Sequence, residues 1–193
     1  DYVVREIDVN EWVQTYPGGN DRLLVAADFD DKQAGSEIGT GGPDVGEPSD
    51  IVGNVTANVE STPFSSNGLT IRDTGANGEP GGYVSYTFLN DEEVSTGTVV
   101  IDVDLYFDVL DTYGVWGNFL DLILLPSGDI NALINGSVLN NVGTYQAATM
   151  HHLTIVYDLD ARTVTWLLDE AALVVDEPIG VTPLTGLLFV LQA

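Results

Sequence analysis

Acidic side chains recur at short, regular spacings in three parts of this chain, and the first group is Asp102, Asp104 and Asp108. Alternate residues of a strand point to one face of a sheet, so these carboxylates line one surface. Tyr106 belongs to the same row. An aromatic ring can stack on a sugar ring while carboxylates accept hydrogen bonds from its hydroxyls. The row predicts a polar groove for a glycan, and an acid-rich, solvated sheet face is the alternative.

Aromatic and amide residues follow this row and extend the predicted glycan site. Tyr113, Trp116 and Asn118 lie between the acidic strand and its neighbour in the sequence. Aromatic faces bind sugar rings, and amides bind hydroxyl groups. The predicted glycan-binding residues are therefore Asp102, Asp104, Tyr106, Tyr113, Trp116 and Asn118. For Trp116 the competing interpretation, a core position, is favoured.

The second acidic group is Asp28, Asp30 and Asp31, which stands at the end of a predicted strand, beside a glycine-rich loop. Calcium takes six to eight oxygen ligands from carboxylates and backbone carbonyls, and this combination can supply both. Further ligands would come from the loop residues Asp44, Glu47 or Asp50. No EF-hand spacing occurs, so we expect a structural Ca²⁺ site, with plain solvation of the loop as the alternative.

The third acidic group, Glu6, Asp8 and Glu11, has the spacing of a catalytic carboxylate set. A strand places Glu6 and Asp8 on one face, and a bulge after Val9 would bring Glu11 to the same face. Two glutamates about 5 Å apart serve as nucleophile and acid/base in retaining glycosidases. A solvated edge strand explains the same residues, and we expect no enzymatic activity.

The charge of the chain excludes several classes of partner. Its 193 residues include 30 acidic and 5 basic side chains, which gives a net charge of −25 at pH 7. A surface of that sign repels the phosphates of nucleic acids and of anionic membranes. No apolar run reaches the roughly 18–20 residues that a membrane span needs. We therefore expect neither nucleic-acid binding nor membrane insertion; the acidity favours divalent cations, salt-rich surroundings or simple solubility.

Short strands are the elements that must position these residues. Apolar and polar residues alternate over residues 98–108 and again through a hairpin at residues 150–175, where Trp166 is expected in the core. Glycine, asparagine and proline turns separate about a dozen such runs. Residues 51–59 and 115–125 each predict one strand, the latter central and covered on both faces. The pattern predicts an all-β, two-sheet antiparallel β-sandwich of the jelly-roll type.

Three stretches resemble the concanavalin A-like, laminin-G-like jelly-roll domains of secreted bacterial proteins. They are residues 25–31 with the loop that follows, residues 97–108, and the hairpin at 152–169, which ends in Asp169-Glu170 where Asp-Gly is usual. The resemblance covers roughly residues 22–190 and implies glycan or protein binding outside cells, often with calcium. The acidic triplet at residues 6–11 resembles the motif of laminarinase-type glycosidases, although Asn10 replaces an apolar residue there.

The sequence thus predicts a non-catalytic extracellular recognition or adhesion domain whose partner is a glycan or surface polymer. The chain begins at Asp1 and its one methionine is Met150, and we expect a secreted, cell-surface protein from which a signal peptide has been removed. Residues 17–193 are expected to form one sandwich domain. Residues 1–16 are expected to be an extension that can exchange with a neighbour.

Two alternative functions remain open. The chain can be a structural subunit that assembles with copies of itself into a surface layer or filament, with residues 1–16 making the subunit contacts. It can also be a retaining glycosidase that uses Glu6, Asp8 and Glu11.

Overall fold

The chain folds into antiparallel β-strands. A computed structural model describes residues 2–5, 29, 32–36, 50–61, 67–75, 81–88, 93–117, 119–180 and 183–191. Within these ranges there are fourteen strands, numbered here in chain order, and no helix. They form two seven-stranded sheets packed face to face, which confirms the predicted all-β sandwich. Among the same residues, no helix is long and apolar enough to cross a membrane.

The first sheet has the longest of the described strands, β6 (Thr98–Phe107), at its centre. Across the sheet its strands are β13 (Ala171–Pro178), β12 (Thr163–Leu168), β11 (Met150–Asp158), β6 (Thr98–Phe107), β1 (Tyr2–Arg5), β4 (Gly68–Asp73) and β3 (Val55–Glu60).

The second sheet covers the inner face of the first. Across this sheet the strands are β10 (Ser137–Thr144), β9 (Asp129–Ile134), β8 (Leu120–Leu124), β7 (Tyr113–Trp116), β14 (Gly186–Leu191), β5 (Gly82–Thr87) and β2 (Asp50–Gly53).

Alternation along β6 separates the core of the sandwich from its polar outer surface. Val103, Leu105 and Phe107 are buried between the sheets, because every second residue of a strand faces the same way. Asp102 and Asp104 consequently point outward. The predicted division of this strand into an apolar and an acidic face is thus correct for the residues described.

The hairpin predicted at residues 150–175 is the strand pair β11–β12 followed by β13. Trp166 and Tyr157 are fully buried on its inner face, as expected for Trp166, and such burial stabilises a fold by about 1.5–3 kcal/mol per large side chain. Asp169 and Glu170 form the two-residue turn into β13, with φ angles of 51° and 67°. Strand β13 continues to Pro178, beyond residue 175, where the predicted hairpin region ends.

Two predicted single strands are wrong, and a glycine marks each break. Residues 115–125 divide into β7 and β8, joined by a tight turn in which the Gly117 N–H donates to the Leu120 carbonyl at 2.9 Å. Residues 51–59 divide into β2 and β3, which belong to different sheets. Gly53 adopts a φ of 87°, a conformation that β-carbon-bearing residues disfavour, and this lets the chain leave one sheet for the other.

Strand β1 lies inside the first sheet, between β6 and β4, rather than at an edge. Val4 is paired with Leu105 on one side and with Leu69 on the other. A strand supplied by a neighbouring copy would have to occupy the same position. Residues 6–16 lie outside the described part of the chain, and the exchange of residues 1–16 stays a prediction.

Candidate functional site

A polar cluster stands on the outer face of the first sheet, where β6 and β11 run side by side. It consists of Asp102 and Asp104 from β6 and His152 and Thr154 from β11, and we call it the His152 cluster. The antiparallel register sets His152 directly opposite Asp104 and Thr154 opposite Asp102. The pairing of the two strands therefore brings together side chains that are 48 residues apart in the sequence.

The imidazole of His152 connects the two carboxylates. Its Nδ1 lies 2.8 Å from Asp104 Oδ1, and its Nε2 lies 3.4 Å from Asp102 Oδ1. The hydroxyl of Thr154 donates to Asp102 Oδ1 at 2.6 Å. A protonated imidazole has N–H donors on both sides, so one ring can hold both carboxylates in place. The cluster holds two carboxylates and one imidazole, and it is therefore negative.

The carboxylates of the cluster are well placed to accept further hydrogen bonds. Their side chains are only 16% and 22% exposed, so they are fixed in position yet accessible to a ligand. Within the described structure the internal bonds use the Oδ1 atom of each carboxylate and leave Oδ2 as an acceptor. Acceptors held in place before a ligand arrives lose little entropy on binding, which suits recognition of hydroxyl groups.

Of the predicted glycan-binding residues, three share this face. Tyr106 is the next outward position of β6 after Asp104, and Met150 of β11 stands opposite it. A half-buried aromatic ring thus adjoins the acidic pair, as predicted. Asp108 follows the end of β6 and is exposed.

The other predicted glycan-binding residues are elsewhere. Tyr113 is 3% exposed and belongs to the core, where its hydroxyl donates to the Val109 carbonyl at 2.9 Å, and burial raises the pKa of its phenol. Trp116 lies on the outer face of the second sheet, paired with Asp121. Asn118 is outside the described residues. The structure therefore does not bring Tyr113 or Trp116 to Asp102 and Asp104.

His151 points to the opposite face from His152, as alternation requires. It is 4% exposed, and its Nδ1 lies 2.7 Å from Asp169 Oδ2. Its Nε2 is 3.0 Å from both the N–H and the carbonyl of Gln146. Both nitrogens are thus engaged, and among the described residues no hydroxyl lies against either. This resembles the histidine–carboxylate half of a catalytic triad, but its contacts hold two turns together.

The predicted metal and catalytic carboxylates fall outside the described residues. These positions are Asp28, Asp30 and Asp31 for calcium and Glu6, Asp8 and Glu11 for catalysis. Both hypotheses stay predictions. Across the residues that the structure does describe, no group of three or more histidine or acidic side chains is arranged to hold a metal ion.

The sequence interpretation missed His152 and Thr154 as members of the site. Their spacing, His-x-Thr in a predicted strand, matches the Asp-x-Asp spacing of residues 102–104. This shared spacing indicates a common site only when the two strands are known to be neighbours in this register, because a shift of one residue would turn both side chains inward.

Comparison with known proteins identifies no family for this chain. No protein-family model matches the chain, and no curated protein matches it. Among solved structures, a sialidase superposes on it with a TM-score of 0.48 and 13% sequence identity. The match covers 79% of this chain and 13% of the sialidase chain. A likeness of this extent carries no inference about function, and membership of the concanavalin A-like superfamily stays a prediction.

Proposed function

We propose that this protein is a non-catalytic recognition domain that binds glycans through the His152 cluster and Tyr106. One observation carries the proposal: a single imidazole contacts two adjacent carboxylates on the outer face of the first sheet, beside an aromatic ring. Sugar hydroxyls would donate to the Oδ2 atoms of Asp102 and Asp104, and the ring of Tyr106 would contact the apolar face of the sugar.

The charge of the protein narrows the class of glycan. The cluster is negative, and the chain as a whole has a net charge of −25. Sulfated, phosphorylated and carboxylated sugars would be repelled, whereas neutral sugars and amino sugars would not. The proposed ligand is therefore a neutral or amino-bearing polysaccharide.

Recognition fits the cluster better than catalysis does. Asp102 and Asp104 stand side by side on one strand and contact the same imidazole. A glycosidase instead places its two carboxyl groups on either side of the scissile bond. The proposal includes an extracellular location, as in the domains that the sequence resembles, and a stabilising Ca²⁺ bound by Asp28, Asp30 and Asp31.

A glycan array with neutral, amino-bearing and sulfated polysaccharides, read with and without EGTA, tests the ligand and the calcium together. Asp104→Asn and Tyr106→Ala should each weaken binding of a neutral or amino-bearing glycan. Loss of a charged hydrogen bond of about 1.5–3 kcal/mol corresponds to roughly tenfold to a hundredfold in affinity. The control Glu93→Gln removes an exposed acid that lies outside β6 and β11, the strands that carry the cluster, and should bind as the wild type does.

Three results of this experiment would contradict the proposal. Binding of no glycan, preferential binding of sulfated glycans, or equal affinity of Asp104→Asn and the wild type would each remove the cluster as the binding site. A loss of binding in EGTA would support the calcium site, whereas unchanged binding and stability in EGTA would remove calcium from the proposal.

A further inference from the structure

Strand β10 is an exposed edge of the second sheet with an unusual composition. Among the described strands it pairs with β9 alone. Residues 137–141 are exposed, and the side chains of Val138 and Leu139 are 53% and 39% accessible. An edge strand presents backbone N–H and C=O groups to any passing strand, and proteins usually protect such edges with charge, proline or short length.

The other three sheet edges carry that protection. Strand β13 ends in Asp176, Glu177 and Pro178. Strand β3 is covered along its edge by residues 35–36, which exchange hydrogen bonds of 2.7 and 2.9 Å with Val59. Strand β2 is four residues long and begins with an aspartate. Strand β10 has neither charge nor proline; its register shift falls between Leu139 and Gly143 and leaves residues 137–139 regular.

The charge distribution of the chain points to a second copy as the partner. Residues 130–157 contain no Asp, Glu, Lys or Arg, although the whole chain carries a net charge of −25. Two identical, strongly acidic molecules can approach closely only where neither bears charge, and the centres of protein interfaces are depleted of charged residues. A cationic partner would instead be drawn to the acidic faces. The uncharged edge fits the uncharged edge of another copy.

We propose that two copies of this protein associate through antiparallel pairing of β10 with β10. The two-residue turn at Asn135 and Gly136, with φ of 49° and 79°, makes Ile134 and Ser137 a hydrogen-bonded pair. Val138 then directs its N–H and C=O groups away from β9. A two-fold axis at Val138 sets it opposite Val138 of the second copy and joins the second sheets of both molecules.

The association depends on salt in a defined direction. Repulsion between the acidic bodies of the two copies weakens the dimer, and dissolved salt screens it over about 10 Å at 0.1 M. The dimer fraction therefore rises with both protein concentration and sodium chloride. The pairing leaves the His152 cluster accessible, since that cluster belongs to the other sheet, and the inference stands independently of glycan binding.

Sedimentation equilibrium of the full chain at about 0.05 M and 0.5 M sodium chloride tests the proposal. The expected mass in high salt is twice the 20.6 kDa of the chain. Val138→Lys should return the protein to a monomer, although the lysine lowers the net negative charge and therefore the repulsion. The control Val175→Lys adds the same charge at a 57% exposed site on β13 and should leave the dimer intact.

A second measurement needs no variant. Amide hydrogen exchange of the wild type at Val138 should slow as concentration and salt increase, while exchange at exposed Asn141 should not, because its N–H already donates to Asn131. A monomer under all conditions would overturn the proposal. A dimer that Val138→Lys leaves unchanged, with the variant's circular dichroism and melting temperature matching the wild type, would also overturn it.

Discussion

The hydroxyl of Tyr157 lies against the backbone of Gly117, where a β-carbon would overlap it. Tyr157 is 1% exposed, and its ring packs edge-on against Phe119 with 6.3 Å between ring centroids. Among the described residues this hydroxyl has no hydrogen-bond partner, and the same is true of the indole N–H of buried Trp166 nearby. Burial, with a contribution from Asp121, raises the pKa of this phenol. The turn between β7 and β8 therefore covers the hydroxyl of Tyr157, and the burial of this polar group lowers the stability of the fold.

Tyr157→Phe should stabilise the protein by about 1 kcal/mol, because an unpartnered buried hydroxyl costs roughly 1–3 kcal/mol. For a chain of this size, 1 kcal/mol corresponds to a rise in melting temperature of about 2–4 °C. The matched control is Tyr145→Phe. The Tyr145 hydroxyl lies 3.0 and 2.8 Å from the Leu125 and Asp111 carbonyls, so its removal should destabilise the protein. If urea unfolding showed that both variants lose the same free energy of unfolding, the Tyr157 hydroxyl would have a hydrogen-bond partner.

Gly117→Ala should destabilise the protein by about 1–3 kcal/mol, the usual cost of an added methyl group in a close-packed site. The cost should fall in a Tyr157→Phe background, since the overlapping oxygen is then absent. Gly180→Ala is a suitable control, because a β-carbon there would meet Phe119 at 3.4 Å, an ordinary contact. A double-mutant cycle with no coupling between positions 117 and 157 would contradict the assigned contact.

Glu170→Gly should stabilise the protein by about 1 kcal/mol. Glu170 has a φ of 67°, a left-handed conformation that costs an L-residue roughly 1–2 kcal/mol and glycine almost nothing. Asp169→Gly provides the comparison, since Asp169 has a similar φ but its carboxylate accepts from the His152 N–H at 2.8 Å and contacts His151. In thermal unfolding, Glu170→Gly should have a higher melting temperature than the wild type, and Asp169→Gly should have a lower melting temperature than Glu170→Gly. The reverse order of melting temperatures would refute the reasoning.

Asp121→Asn should stabilise the protein at neutral pH and lose this advantage in acid. Burial raises the pKa of Asp121 above its ordinary value of 3.8. At a pH above this raised pKa, the folded wild type keeps an ionised carboxylate partly buried, which lowers its stability. The amide of Asp121→Asn carries no charge and avoids this cost. Below 3.8 the carboxyl is protonated in both states and the difference disappears. Urea titrations of both proteins from pH 3 to pH 8 measure this, with Glu93→Gln as the exposed control; a pH-independent difference would exclude ionisation as the cause.

Alternation of apolar and polar residues was sufficient to predict most strands and the acidic outer face of β6. It failed where all residues of a strand are apolar or small. Residues 113–116 read Tyr-Gly-Val-Trp, and such a run does not indicate which side chain faces the core, so Tyr113 was expected at the surface and is buried. The break at Gly117 was missed for the same reason, since apolar residues continue on both sides of it.

The candidate site was only half predictable, because half of it depends on strand pairing. Asp102 and Asp104 share a face by local geometry alone. His152 joins them only because β11 pairs with β6 in one particular register, an outcome of the whole sheet's packing rather than of any local pattern. Of the aromatic residues expected beside the carboxylates, Tyr106 adjoins them, whereas Tyr113 and Trp116 belong to the other sheet, which no spacing along the chain reveals.

The position of the first and last strands has a consequence for how the molecule is made. Strand β1 needs partners at residues 69–71 and 104–107, and β14 fills the centre of the second sheet, between β7 and β5. Until residues 186–191 leave the ribosome, β7 and β5 each lack an inner neighbour, and the second sheet exists as two separate parts. Contacts of such long sequence separation make folding slow. During synthesis the nascent chain therefore exposes edges of β5 and β7 that β14 covers in the folded protein.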